Sequence, residues 1–338
     1  MAAIVAAVAA IAWFGLRSRG KEFEWDVFRA TFADMHWGWF TAGVLLVLVT
    51  YLGRAIRWQV MLRPVKPKSS LSNLLTATTI GFTAVVLFGR AGELVRPYLI
   101  ATKEKVSFSS QVAAWFLERI YDLLSVLLLF GFALAQITTS STKVTGPMET
   151  VLRLGGHTAG VLATLCLALL VTFGLFPNFV EKRLHGALEV LPERFRGRIQ
   201  GLVSSFLSGT SSTRQGGIVV LLVGYTFCEW LIIVASFLCI FKAIPITQGL
   251  GVVDTLIVVG FVAFGSAVQI PGIGGGMQVA TVVVLTELFK VPLESASGIA
   301  ILIWAVTFVS IVPIGLVLAV RDGLEWRKLM NVKEMKSL

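Results

Sequence analysis

Six ionisable side chains stand within otherwise apolar sequence and could bind a charged group inside a membrane. They are Arg90, Glu93, Arg96, Glu118, Arg119 and Asp122. Placing one charged side chain at the centre of a bilayer costs roughly 2.5–3.5 kcal/mol on the insertion scale. Guanidinium groups form planar pairs with phosphate or carboxylate, so this set suits either internal ion pairs or a charged ligand. We therefore take these residues as the candidate functional cluster.

The first three residues of the cluster follow a glycine-rich break in FGRAGELVRPYL. On a helix that begins near Arg90, the side chains of Arg90, Glu93 and Arg96 share one side, because residues three apart recur on a helix face. The break at Gly89 and Gly92 frees backbone N–H groups, and a helix N-terminus carries a partial positive charge. This pattern is typical of a phosphate site.

The other three residues lie in the next apolar run, WFLERIYDLLSV. Glu118 and Asp122 are i, i+4 neighbours, whereas Arg119 points about 100° away from Glu118. The three positive and three negative charges cancel, which leaves two interpretations open. The cluster is either a set of buried ion pairs that holds two elements in register, or a substrate site. Glu229, at the centre of GYTFCEWLII, is either an interhelical hydrogen-bonding residue or part of the same cavity.

The composition predicts that a membrane protein surrounds this cluster. Of the 338 residues, 56% are hydrophobic and 14% are charged, whereas soluble domains carry about 25% charged residues. We predict an all-α polytopic membrane protein that forms a single transmembrane domain over residues 1–338. A span needs about 20 apolar residues. The candidate spans are residues 1–16, 37–53, 110–137, 158–176, 217–241 and 297–320.

The first candidate span also fits the length of a signal peptide. It lacks a basic n-region, and RSRGKEFEW follows it in place of a cleavage site. We read it as a retained span.

Two further apolar stretches, 72–104 and 251–289, contain glycine-rich breaks and predict re-entrant hairpins. IGFTAVVLFGRAGELVRPYLIA in the first resembles VGFVAFGSAVQIPGIGGGMQVA in the second. With the neighbouring spans, the order of span, span, hairpin and span occurs twice in opposite orientation. This order predicts two inverted repeats, residues 1–137 and 158–320, which is a signature of transporters. The alternative, in which both stretches span fully, stays open.

The break of the second hairpin, IPGIGGGMQVA, is read as a broken helix tip. It lacks the Gly-Lys-Ser/Thr of a P-loop, and no alternating strand and helix pattern surrounds it. Irregular backbone at membrane depth is tolerated where protein or a watery cavity satisfies it, and Gln278 is the polar residue best placed there. The predicted tip residues of the two hairpins are Gly89, Gly92, Pro271, Gly272, Gly274 and Gly275.

The distribution of the net charge of +10 predicts the orientation. With the hairpins entering from opposite faces, eighteen lysines and arginines share the side of the C-terminal tail, against eight on the other side. The positive-inside rule places that tail in the cytoplasm and the chain in the cytoplasmic (inner) membrane. The basic run from Arg54 to Lys68, which includes Arg57, is read as an anchor on that side. Residues 177–216 are read as a cytoplasmic amphipathic basic connector.

These motifs together resemble the lysylphosphatidylglycerol synthase transmembrane region, a flippase-like domain family. Gly89-Arg90-x-Gly92-Glu93-x-x-Arg96, Glu118-Arg119-x-x-Asp122 and the Pro-Gly-rich tip carry the resemblance, which covers nearly the whole chain. It implies a region that moves a phospholipid between leaflets, next to a soluble synthase domain in the bifunctional relatives. The sequence ends shortly after the last predicted span, so we expect no aminoacyl transfer. Gln278 and Ile273 depart from the family pattern, which usually has an acid and a glycine there.

We expect a lipid translocator rather than an enzyme. Arg90 and Arg96 would bind the phosphate of an anionic or zwitterionic headgroup, on a phospholipid, a polyprenyl-phosphate sugar or a hopanoid-like lipid. The carboxylates of the cluster would position those arginines or meet a cationic headgroup, and the lining would be completed by Arg119, Glu229 and Gln278. The histidines and cysteines show no metal-ligand spacing, so we expect no metal. We also expect no cofactor and no nucleic acid partner.

Two other functions remain open from the sequence. One is a non-transporting partner that anchors a lipid-modifying enzyme through a docking face at residues 180–214. The other is an intramembrane enzyme acting on lipid phosphate, which needs a nucleophile or a metal beside the carboxylates. The oligomeric state has no signal in the sequence.

Overall fold

The protein folds as a bundle of helices in a computed structural model, which describes residues 23–139, 147–176, 178–179, 182–183, 216–272 and 274–324. The predicted first span and most of the predicted connector at 177–216 lie outside these residues. The all-α prediction is confirmed within them. The long helices are Trp37–Leu62 (α1), Leu71–Phe88 (α2), Val95–Glu104 (α3), Phe108–Thr139 (α4), Pro147–Leu175 (α5), Gly216–Ala243 (α6), Val252–Gly265 (α7), Gly276–Glu287 (α8), Leu293–Trp304 (α9) and Val312–Arg321 (α10).

Five helical stretches among the described residues are long and apolar enough to cross a membrane. They are Trp37–Leu62, Leu71–Glu104, Leu154–Thr172, Gly217–Ala243 and Leu293–Arg321. The chain is therefore a multi-pass membrane protein. A short helix, Trp25–Ala30, precedes them, and the tryptophans at positions 25, 37 and 39 are exposed. Tryptophans of this kind mark a membrane–water interface.

The stretch from Leu71 to Glu104 doubles back on itself as a hairpin. A methyl group built on Gly81 would stand 2.5 Å from the Cβ of Arg96, although fifteen residues along one straight helix rise about 22 Å. The reversal is a 3₁₀ segment, Gly89–Leu94, in which Gly89 has a φ of +64°. Glycine adopts this left-handed conformation without the steric cost that a side chain brings. α2 and α3 are thus the two limbs of the first hairpin.

The second hairpin has α7 and α8 as its limbs. Gly265 and Gly276 face each other so closely that a methyl group on either would lie 2.3 Å from the other's carbonyl oxygen. The reversal contains a two-residue antiparallel ladder, Gln269–Ile270 with Gly274–Gly275. Small residues at this contact let the two limbs approach, as they do between membrane helices generally.

The two hairpins start at opposite ends of the bundle and their tips touch. The base of the first is closed by Lys66, whose Nζ lies 2.8 Å from a carboxylate oxygen of Glu104. The second begins at the other end, next to the turn where the His36 amide donates to the Ala243 carbonyl. At the tips, the Gly272 amide donates to the Val86 carbonyl over 2.9 Å. Both stretches therefore double back as hairpins, and their re-entrant placement in a membrane stays a prediction.

α1 and α6 form the central antiparallel pair. Gly43 near the start of α1 faces Ser236 and Ile240 near the end of α6, at about 3.2 Å from an added Cβ. Glycine and small side chains at such a crossing bring the two backbones together. Helix α1 continues to Leu62, well past the predicted end at residue 53.

The last spanning helix contains a wide turn. Residues Ala305–Val309 are π-helical, and the Ser310 amide donates to the Ala305 carbonyl, five residues earlier. Helix α10, beyond this turn, packs on α2 of the first hairpin, with Gly315 against Thr83. Helix α4 packs in the same way on α7 of the second hairpin. This reciprocal packing is what the predicted inverted repeats require, and their relation stays a prediction.

Candidate functional site

A cavity of about 360 Å³ lies below the touching hairpin tips, enclosed by α1, the two hairpins, α4, α5, α6 and the wide turn. Most of its wall is apolar, with Trp115, Trp230, Phe237 and Met277 among the lining side chains. The charged residues of the wall are Arg54, Arg90, Glu93, Arg96, Arg119 and Asp122. Five of the eight predicted substrate-binding residues therefore line one cavity; Glu118, Glu229 and Gln278 do not.

Arg57, which sequence reasoning missed, lies at the centre of the ion-pair network behind that wall. It is 1% exposed and reaches three carboxylates. Its guanidinium nitrogens lie 2.5 Å from Glu118, 2.5 Å from Asp122 and 3.4 Å from Glu229. A further N–H donates to the Thr226 hydroxyl over 3.1 Å. This one side chain joins α1, α4 and α6.

Glu118, which stands behind the cavity wall, binds the guanidinium group of Arg96. Both terminal nitrogens of Arg96 donate to the two oxygens of Glu118, which is the bidentate geometry that a guanidinium prefers. The guanidinium also lies 4.3 Å from the ring centre of Trp58 and 5.4 Å from that of Phe82. Cation–π contact of this kind stabilises a desolvated arginine. Arg96 therefore stands at the cavity wall with a carboxylate and two aromatic rings as partners.

Arg119 and Asp122 occupy the wall one helical turn apart on α4. A terminal nitrogen of Arg119 lies 3.3 Å from Glu118 and 3.6 Å from Asp122. Its side chain is 38% exposed. Its Nε is buried and makes no hydrogen bond within the described part of the chain. Arg119 thus keeps one N–H donor that no described residue uses.

Glu229 pairs with Arg54, the second arginine that sequence reasoning missed. Its carboxylate lies 2.9 Å from the Nε of Arg54, and the carboxylate is 4% exposed. The guanidinium of Arg54 stands 4.8 Å from the ring centre of Phe82. Arg54 therefore lines the cavity while Glu229 stays behind it.

Arg90 ties the two hairpin tips together. Its guanidinium pairs with Glu93 on its own hairpin and donates to the carbonyls of Ser266 and Ala267 on the other, over 2.5 and 3.3 Å. A methyl group on Gly89 would lie 3.2 Å from Pro271. The predicted tip residues Gly89, Pro271 and Gly272 thus meet across the two hairpins.

Gln278 closes the first turn of α8. Its side-chain oxygen accepts a hydrogen bond from the Gly275 amide over 2.7 Å. Satisfying a free N–H at a helix start is the ordinary role of a capping side chain.

Gly92, in the first hairpin, lies against the Ala84 backbone of the opposite limb, where an added Cβ would stand 2.3 Å from the nearest backbone atoms.

The reading of the basic run as a membrane anchor is wrong for Arg54 and Arg57. The two residues are three apart on α1 and face the interior, because buried carboxylates of α4 and α6 lie opposite them. Their spacing and the apolar residues around them, YLGRAIRWQVML, were the available signal. With them the described cluster has five arginines and four carboxylates, a formal charge of +1.

The fold and the cavity together define a polytopic helical membrane protein with two broken-helix hairpins around an arginine-rich interior. The chain belongs to the family described as the Lysylphosphatidylglycerol synthase TM region, which matches residues 1–315. No curated protein and no solved structure matches the chain.

Proposed function

We propose that this protein translocates a lipid across the cytoplasmic membrane and holds the phosphate-bearing headgroup in the cavity below the hairpin tips. The observation that carries the proposal is the composition of that cavity, in which four arginines share a wall with mostly apolar side chains. Guanidinium groups suit phosphate, and apolar walls suit the upper part of an acyl chain. The family supports a lipid-related role for this region.

The hairpins supply the device for movement. They approach from opposite ends of the bundle, and their tips are joined by the hydrogen bond from the Gly272 amide to the Val86 carbonyl and by Arg90. Transporters with broken helices bind substrate where such half-helices meet, and they open to either side by moving one half against the other. In our proposal, separation of the tips connects the cavity to one leaflet at a time, with the acyl chains left in the bilayer and the C-terminal tail in the cytoplasm.

A liposome assay tests the proposal. Full-length protein is reconstituted with a trace of fluorescent phospholipid, and dithionite added outside bleaches each label that reaches the outer leaflet. We expect wild-type protein to raise the bleached fraction above that of protein-free liposomes. Arg96→Gln should remove most of the gain, since it takes one guanidinium from the wall. Arg63→Gln, at an exposed position, is the matched control.

Wild-type protein that is folded but moves no phospholipid would contradict translocation. That result would favour the partner that anchors a lipid-modifying enzyme, whose predicted docking face at 180–214 lies mostly outside the described residues.

A further inference from the structure

We infer that the headgroup carries net negative charge, as a phosphodiester without an amino group, and that zwitterionic and aminoacylated headgroups are disfavoured. This inference rests on the proposed function and narrows the substrate class of the same cavity.

The balance of charge around the cavity is the first observation. Four arginines and two carboxylates stand on the wall, and Arg57, Glu118 and Glu229 stand behind it, which leaves the described cluster at +1. Unbalanced charge is costly in a medium of low dielectric constant. A monoanionic phosphodiester neutralises this cluster. A zwitterionic headgroup leaves the excess in place, and a headgroup with net positive charge adds to it.

The unused polar groups of the wall are the second observation. Arg119 and Thr307 line the cavity, and the buried Nε of Arg119 and the buried hydroxyl of Thr307 make no hydrogen bond within the residues that the structure describes. The ion pair of Arg54 with Glu229 goes through Nε, and Arg54 also lines the cavity. Buried donors without a partner are costly, so a ligand rich in acceptor oxygens is favoured here.

The wall carboxylates give an ammonium group little to bind. Asp122 lies 2.5 Å from Arg57 and 3.6 Å from Arg119. Glu93 is paired with Arg90. An ammonium group would have to compete with an arginine that is already paired with each of these carboxylates. We expect this competition to make the cavity selective against primary amines.

A competition for binding tests the inference. Full-length protein is placed in phosphatidylcholine nanodiscs that contain equal amounts of phosphatidylglycerol, phosphatidylethanolamine and lysylphosphatidylglycerol. Mass spectrometry of the released protein reports the retained lipids. We expect phosphatidylglycerol to be enriched about tenfold over either amine-bearing lipid, which corresponds to a difference of about 1.4 kcal/mol in binding free energy. Equal retention, or enrichment of an amine-bearing lipid, would overturn the inference.

A charge reversal provides the sharper arm. Arg119→Glu turns the formal excess of one positive charge into one negative charge, so retention should shift toward lysylphosphatidylglycerol. Arg63→Glu, exposed at the end of α1, should keep the wild-type preference. A folded Arg119→Glu protein that still enriches phosphatidylglycerol would contradict the charge argument. If Arg119→Glu does not fold, Arg119→Gln must weaken the enrichment for the inference to stand.

Two further experiments distinguish a lipid headgroup from a soluble phosphate ester, and the inferred headgroup class from the proposed translocation. Glycerol phosphate at millimolar concentration should not displace the bound lipid; displacement would assign the site to a soluble phosphate ester and overturn the inference. The liposome assay is repeated with fluorescent phosphatidylglycerol and phosphatidylethanolamine. Enriched binding of phosphatidylglycerol without movement would sink translocation and leave the headgroup class standing. Movement of both lipids without any binding preference would support translocation and contradict the inferred headgroup class.

Discussion

The two hairpins share a backbone design and differ in chemistry. Each has two short limbs, close glycine contacts and a broken tip. The first carries Arg90, Glu93 and Arg96 at and after its tip, whereas the second, from Ser266 to Gly275, has no charged residue. The second instead offers backbone carbonyls, which Arg90 uses.

This difference shows that geometry and charge are separable in the fold. Glycine contacts that close a hairpin are needed in both halves, because limbs must pack in lipid whatever the tip does. Charge is concentrated in the first hairpin and α4, where buried partners from α1 and α6 compensate it. The candidate site is therefore one-sided, with the second hairpin as its uncharged cover.

The strongest expected effect comes from removing the compensation behind the first hairpin. Arg57→Leu deletes the shared partner of three carboxylates. Breaking a buried ion pair typically costs about 3–5 kcal/mol, so we expect a large fall in thermal stability in detergent, or no folded protein. Arg63→Leu, at the exposed residue that follows the end of the same helix, is the control. Equal melting temperatures for the two variants would show that the network adds nothing to stability.

The next effect concerns the contact between the tips. Val86→Cys with Gly272→Cys places two thiols where the Gly272 amide meets the Val86 carbonyl. In a background without Cys166, Cys228 and Cys239, oxidation should stop lipid movement and reduction should restore it. Each single cysteine controls for local strain, since Gly272 has a φ of +72°. Full movement in the oxidised double variant would mean that the tips need not separate.

A smaller effect tests what the hairpins share. Gly92→Ala and Gly265→Ala each place a methyl group 2.3 Å from backbone of the opposite limb. Overpacking typically costs about 1–3 kcal/mol, and we expect similar losses of thermal stability in both variants. Gly53→Ala, which meets nothing within 4 Å, should be silent. A loss confined to the charged hairpin would contradict a common closure.

The smallest effect is expected at Gln278. Gln278→Ala removes the acceptor for the Gly275 amide, and loss of a helix cap costs about 1 kcal/mol. Thermal stability should fall slightly while the lipid preference stays unchanged. A changed lipid preference would return Gln278 to the substrate-binding residues predicted from the sequence.

The sequence was sufficient for the features that depend on local composition. Apolar runs predicted four of the five described stretches that are long and apolar enough to cross a membrane, and glycine-rich breaks predicted the hairpins, since both follow from the chain's own pattern. Arg90, Glu93, Arg96, Arg119 and Asp122 stood out because charge within an apolar run is costly wherever the chain folds. These five residues do line one cavity.

Features that depend on partners far away in the sequence could not be predicted from local composition. Arg54 and Arg57 follow the predicted end of a span, where the positive-inside rule gives a sufficient explanation. Their role depends on carboxylates that are 61 or more residues away in sequence. Only the packing of α1 against α4 and α6 reveals that α1 continues to Leu62 and that these two arginines face the interior.

The wide turn at Ala305–Val309 fixes the rotational phase of the last helix. A π-type turn is equivalent to one inserted residue, and each residue of an α-helix turns the chain by about 100°. Gly315 against Thr83, and Asp322 paired with Lys103 over 2.6 Å, both lie beyond the turn. Deleting one residue here would make the helix more regular, but it would rotate the residues beyond the turn away from their contacts on the first hairpin.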